Sequence, residues 1–173
     1  MRTKIFVALI AIITITACDI NYWSNPSKSQ CETSINNLME QSQDFDADDI
    51  AQWLPGVWNE DSIIIYDENW ETIEKVFKYN GNWDDDLAGG ADGRYTFTAE
   101  GNGKYSYTPE YPPVENTFSF DWQYEEADKT LVLTGEMSQQ FKVSGFNGKY
   151  IILDFYDTVN KHNERQILKK TVE

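Results

Sequence analysis

Along the segment TFSFDWQYE, Phe118, Phe120, Trp122 and Tyr124 alternate with Ser119, Asp121 and Gln123. A period of two puts the four rings on one side of an extended chain and the polar groups on the other, so the segment predicts a strand with one dry face. The alternation recurs on both sides of it. Ile63 and Ile65 mark an early run; Tyr95 and Phe97, then Tyr105 and Tyr107, occupy single faces of GRYTFTAEGNGKYSYT; and TLVLTG, QQFKV, KYIILDFY and RQILKK follow. Turn signals separate these runs at Gly101-Asn102-Gly103, at EADK and at Asn147-Gly148, the last a strong hairpin signal because both residues tolerate positive φ. WETIEKVFKY fits two patterns: Trp70, Ile73 and Phe77 share a helical face, while Ile73, Phe77 and Tyr79 share a strand face. We read residues 70–79 as strand, because the chain before them is β and the chain after them is rich in turns.

Eight or nine strands joined in order by short turns would form an antiparallel meander. Laid flat, it would leave one apolar face in water and two edges unpaired; curling it into a cylinder removes both problems. The predicted fold class is therefore all-β, an antiparallel up-and-down β-barrel of eight or nine strands.

Before the first strand the pattern is different. From Asp19 to about Asp49 the chain is rich in Ser, Asn, Gln and Asp, with no sustained apolar period, and reads as a flexible tether. SINNLMEQ predicts a helical turn capped by Ser34. DADDIAQWL predicts a short helix, capped by Asp46 or Asp48 and stopped at Pro55, whose Ile50, Trp53 and Leu54 have the right spacing to close one end of the barrel.

The first residues stand apart from any fold. Arg2 and Lys4 precede an apolar stretch from Ile5 to Ile15, and Ala17 stands just before Cys18, the layout of an export signal. The apolar run is shorter than the ~20 residues a membrane-spanning helix needs. The sequence ITAC resembles the bacterial lipobox, in which a small residue precedes a cysteine that is acylated and becomes the new N-terminus. That resemblance implies a signal peptide over 1–17, a lipidated Cys18 and tether over 18–48, and a barrel domain over 49–173. Two or more acyl chains, at about 0.8 kcal/mol per buried methylene, anchor a protein stably. The expected location is a bacterial cell envelope at the outer membrane, with the face left open. With Cys18 consumed, Cys31 has no disulfide partner, and its polar setting NPSKSQCETS offers no base to activate it.

Composition narrows the function classes. The 173 residues suit one domain with appended segments, and the nine Phe, six Trp, ten Tyr and ten Gly favour strands and turns. A formal charge of −15 would repel a phosphate backbone, so nucleic-acid binding is excluded as a reading. Loss of Arg2 and Lys4 with the leader makes the mature chain more acidic still. An anionic leaflet would push it away, which suits a monomeric globule held off by a tether.

Gly56-Val57-Trp58, at the head of the first strand, resembles the Gly-x-Trp signature of lipocalins. The strand-rich chain from Leu54 to about Thr171 is similar to the lipocalin-like domain common among bacterial lipoproteins. In lipocalins the signature tryptophan packs under the closed end and an arginine of the last strand lies across it. The resemblance thus implies barrel closure by Gly56, Trp58 and Arg165, the stacked cation contributing about 0.5–2 kcal/mol. Further loop motifs of the family, and its long helix after the last strand, are not visible. The resemblance also implies a small apolar or amphipathic ligand in the barrel, for which Phe97, Tyr105, Phe118, Phe120, Trp122 and Phe141 are the candidate contacts. The same rings fit a packed core equally well. A solid barrel that meets protein or glycan on its outer surface is the alternative, with Tyr105, Tyr107, Tyr111 and Trp83 as a stacking platform.

No catalytic residue or cofactor is expected. The single histidine, His162, falls in the polar turn NKHNER and reads as solvated, which leaves nucleophilic triads and His-based metal sites without a centre. With 29 acidic residues, no carboxylate pair stands out for glycoside chemistry. In NWDDDLAGGADGR, Asp84, Asp85, Asp86 and Asp92 carry oxygen ligands suited to calcium, but the order departs from the twelve-residue calcium loop and lacks its closing glutamate, so a solvated loop is the preferred reading.

Overall fold

The computed structural model describes residues 28–42, 47–78, 93–109 and 112–171. Cys18, the leader, Trp83, Tyr111 and the aspartates Asp84, Asp85, Asp86 and Asp92 lie outside the described residues.

Nine strand segments form one antiparallel sheet that closes on itself. The first, β1 (Gly56–Tyr66), carries β2 (Ile73–Lys78) and β3 (Arg94–Phe97) on one edge. Its second half pairs with β2, from Ser62↔Lys78 to Tyr66↔Ile73; its first half pairs with β3, from Asn59↔Arg94 to Gly56↔Phe97. These two segments lie in line along β1, as one stave of the barrel. The Glu60 N–H, facing the gap, donates to the Gly93 carbonyl at 2.8 Å.

From β3 the order is a plain meander through β4 (Asn102–Tyr107), β5 (Asn116–Glu125), β6 (Thr130–Gly135), β7 (Gln139–Phe146), β8 (Tyr150–Asp157) and β9 (His162–Lys170). Pairing of β9 with β1, from Trp58↔Lys170 to Tyr66↔Asn163, completes the ring. The described residues thus form an up-and-down antiparallel barrel of eight staves built from nine segments. Residues Ile73–Lys78 are strand, and Trp70 sits in the preceding turn at φ 63°.

The turns follow local chemistry. At Asn147-Gly148 the Asn147 side-chain oxygen accepts the Lys149 and Tyr150 N–H groups, while Gly148 takes φ 80°. Around Gly101-Asn102-Gly103 the turn lies earlier than expected: Gly101, at φ 85°, donates to the Thr98 carbonyl, and Gly103 is already in β4. A Cβ at Gly103 would stand 2.5 Å from the Phe120 ring, so this glycine makes room for an interior ring.

Among the described residues, two helices precede the barrel. Helix α2 (Ala47–Trp53) brings Ile50 and Leu54, both fully buried, into the interior cluster at the end where β1 begins. Helix α1 (Lys28–Ser42) corrects the expectation of a tether with one helical turn over this stretch. Its Ile35 and Leu38 are buried, with Met39 beside them, on Ile64, Tyr66, Ile73, Tyr150, Ile152 and Ile167. Register puts these barrel residues on the outer surface, because Ile151, Leu153 and Leu168 between them belong to the interior cluster. β1, β8 and β9 therefore bury both faces where α1 covers them. That is why SIII and YIIL are continuous apolar runs and not alternating ones. At the far end of α1, the Ser42 Cβ lies 2.8 Å from where a Cβ on Gly145 of β7 would stand.

Candidate functional site

The inner face of the barrel changes character along its axis. Near α2 it is a packed floor. Trp58, Tyr95, Phe97 and Phe120 are each at most 3% exposed, and Phe97 touches Phe120 with centroids 5.5 Å apart and Trp122 at 6.0 Å, edge to face; Phe141, 1% exposed, is buried farther along, against Phe155 at 5.3 Å. Trp122 is tied by its indole N–H to the Thr98 carbonyl at 3.1 Å. Toward the other end, Tyr105, Tyr107, Phe118 and Phe155 are only half-buried. Phe118 lies parallel to Tyr107, centroids 6.1 Å apart, and Tyr105 leans on Tyr95 at 4.6 Å.

The candidate ligand contacts thus divide. Phe97, Phe120 and Phe141 are buried in the interior cluster, Trp122 and Tyr105 pack against it half-buried, and Phe118, also half-buried, stacks on Tyr107. Alternation places a ring on the inner face without revealing its height along the axis; that follows only from register.

The inner face also carries polar groups. Glu60, 6% exposed, accepts a bond from the Tyr105 hydroxyl at 3.4 Å. The Tyr95 hydroxyl donates to the Gln166 side-chain oxygen at 3.1 Å, and the Gln166 amide donates to Glu164 at 3.1 Å. Glu164 lies 3.4 Å from His162 Nε2, and Asp157 is 3.9 Å from the same nitrogen. His162 was expected in a solvated turn. It is instead the first residue of β9, paired with Asp157, with its side chain only 18% exposed. The signal was in the spacing: His162, Glu164, Gln166 and Leu168 share one parity, and Leu168 is core.

Burial shapes the ionisation of this chain. Burial, and then the Glu60 charge, raise the Tyr95 hydroxyl well above its ordinary value. Burial also pushes the Glu164 carboxyl up, and the bonds from Gln166 and His162 restore only part of the loss. Its cross-strand neighbours Ile65 and Phe155 are apolar and offer no counter-charge. Asp157 moves the other way: burial raises it, but bonds from Asn160 and Val159 and the nearby His162 outweigh that and hold it low.

A folded-state value above the unfolded one means that Glu164's stabilising contribution is whole below about its ordinary 4.5 and is lost as pH rises through the raised value. Glu164→Gln should accordingly melt above the wild type at neutral pH, the difference vanishing in acid. Thermal scans across pH check this, and a lower melting temperature for the variant at neutral pH would contradict it.

The cation over Trp58 is Lys170, not Arg165. Trp58 pairs directly with Lys170, whose ammonium is 5.2 Å from the indole centroid and donates to the Trp53 carbonyl. Burial lowers the Lys170 pKa. Arg165 pairs with Ile64, five residues away and on the outer surface, where it grips Asp154 through two bonds of 2.7 Å and lies over Tyr66 and Trp70 at 5.2 and 5.5 Å. Geometry compels the exchange, because in an antiparallel closure the start of the first strand meets the end of the last.

Fold and site together define a closed antiparallel barrel with a packed floor, an aromatic wall and a polar inner chain. No protein-family model matches the chain, and no curated protein matches it in sequence. Among solved structures it is similar to a deswapped triple mutant of the bovine odorant binding protein, with 12% identity over 70% of this chain and 76% of that one and a TM-score of 0.41. It is also similar to Japanin from Rhipicephalus appendiculatus, solved with cholesterol bound, with 9% identity over 66% of this chain and 74% of that one and a TM-score of 0.41. Likeness at this level transfers no ligand.

Proposed function

We propose that the protein is a lipid-anchored component of a bacterial cell envelope that holds a small apolar or amphipathic ligand in the half of its barrel away from α2, without performing chemistry on it. The observation that carries this reading is the half-burial of Tyr105, Tyr107, Phe118 and Phe155 above a floor at most 3% exposed. Rings in that position offer apolar area to a ligand body, and the Gln166–Glu164 chain offers hydrogen bonds to its polar end. The intact protein, extracted in detergent from its own envelope, should carry a small molecule visible by native mass spectrometry. Phe118→Ala should weaken rebinding roughly tenfold, the equivalent of about 1.4 kcal/mol of lost ring contact. Absence of any bound mass across several sources, with no titratable lipid or sterol, overturns the reading.

The anchor rests on the leader ending in ITAC before Cys18, and the outer membrane is the location that this reading favours. Cys18→Ala should move the protein from the detergent phase to the aqueous phase in phase separation. Unchanged partition would remove the lipid from the account.

A further inference from the structure

We propose that Asp157, His162 and Glu164 form a site for a divalent transition-metal cation on the inner face of the β8–β9 hairpin, with Zn2+ the ion its donors suit best. This does not rest on the apolar-ligand reading.

Register builds the site. Asp157 and His162 are direct cross-strand partners, and Glu164 lies two residues on, facing the same way. One ligand atom from each falls within 4.8 Å of the other two. Donors about 2.1 Å from a tetrahedral zinc stand about 3.4 Å apart. The His162–Glu164 separation is 3.4 Å, the His162–Asp157 separation 3.9 Å and the third pair lies within 4.8 Å, so a cation between them draws the two carboxylates together by at most about 1.4 Å.

The charge balance points the same way. Asp157 and Glu164 have side chains only 19% and 13% exposed, and among the described residues their ion-pair partner is one histidine. On the outer surface of the same strands, Asp154 has Arg165. Two half-buried carboxylates brought together without a fixed cation are costly, and a divalent ion removes that cost.

The donors are also held in place. Asp157 Oδ1 accepts the Val159 and Asn160 N–H groups at 2.8 and 3.0 Å, and Oδ2 accepts the Asn160 amide at 2.8 Å, leaving Oδ2 a second lone pair. Gln166 holds Glu164 Oε1, leaving Oε2 for the metal. Such outer bonds orient metal ligands. One imidazole with two carboxylates favours zinc and its neighbours over calcium, and three protein ligands leave a position for water or a ligand's own donor.

The test is calorimetric titration of the full chain in detergent with Zn2+, alongside visible spectroscopy with Co2+. One equivalent should bind, with Co2+ giving the absorption of a low-coordinate nitrogen–oxygen site. His162→Gln and Glu164→Gln should each weaken Zn2+ by more than the roughly 10–100-fold that losing an orienting neighbour costs; Gln166→Ala should fall within that range. Glu164→Gln keeps the side-chain shape, so retention of native dichroism shows that its loss of metal is not loss of fold. Absence of Zn2+ binding, binding unchanged in His162→Gln, or displacement of Zn2+ by equimolar Ca2+ would each overturn the proposal. None of these outcomes bears on the search for an apolar ligand.

Discussion

Trp58→Ala is expected to lower the free energy of unfolding by about 3–5 kcal/mol, the range for removing a large aromatic from a closed core. Trp58 is fully buried, contacts Phe146 at 6.3 Å, and donates its indole N–H to the Leu54 carbonyl at 2.7 Å. That bond fastens the end of α2 to the first strand. Alanine would open a void beneath α2, leave the Leu54 carbonyl unpaired and take the ring away from the Lys170 ammonium. Trp58→Phe separates these effects. It keeps most of the ring but deletes the donor, so it should lose about 1–3 kcal/mol, the cost of an unsatisfied buried acceptor. Urea denaturation measures both. A loss below about 1 kcal/mol for alanine would mean that Trp58 is not the keystone of the floor.

The second large effect is expected at Arg165. Removing either partner of a buried ion pair costs about 3–5 kcal/mol, because the survivor keeps its charge and loses its counter-ion. Arg165 and Asp154 have side chains only 13% and 11% exposed. Burial works against the Arg165 charge, but the bonds and charge of Asp154 outweigh it and raise the pKa. Arg165→Ala and Asp154→Ala should each fall in that range, while the double variant should cost well under their sum. Arg165→Lys should not rescue, since an ammonium can neither make the paired bonds to Asp154 nor lie flat on Tyr66 and Trp70. Strictly additive losses in a double-mutant cycle would show that the two groups act independently.

Much of the barrel was legible from the chain because its dry and wet positions alternate and its turns carry glycine and asparagine at the required places. TFSFDWQYE became β5 and Asn147-Gly148 a hairpin, each from local chemistry alone. Among the described residues, eight staves and nine segments are both true counts, since β2 and β3 share one stave, and no local pattern indicates that two segments lie end to end on the same neighbour. Helix α1 was read as tether because Ile35, Leu38 and Met39 are sparse among polar residues. Its partner was nevertheless visible in the unbroken runs SIII and YIIL, which have more apolar faces than a barrel interior can cover. The site was less legible. Parity puts His162, Glu164 and Gln166 on the inside, but their neutral-looking turn sequence hid it, and which cation sits on Trp58 depends on strand-to-strand register.

If Cys18 carries the proposed lipid, the docking of α1 shortens the leash. Were all of residues 18–48 slack, an acyl group on Cys18 would let the barrel roam about 100 Å from the bilayer, at a little over 3 Å per extended residue. With α1 packed on the barrel wall through Ile35 and Leu38, at most residues 19–27 separate that cysteine from the helix, a distance of about 30 Å were they fully extended. A globule moored that closely by the proposed anchor would sample a thin layer next to the lipid headgroups, and a ligand bound as proposed would enter and leave within a molecular diameter or two of the membrane.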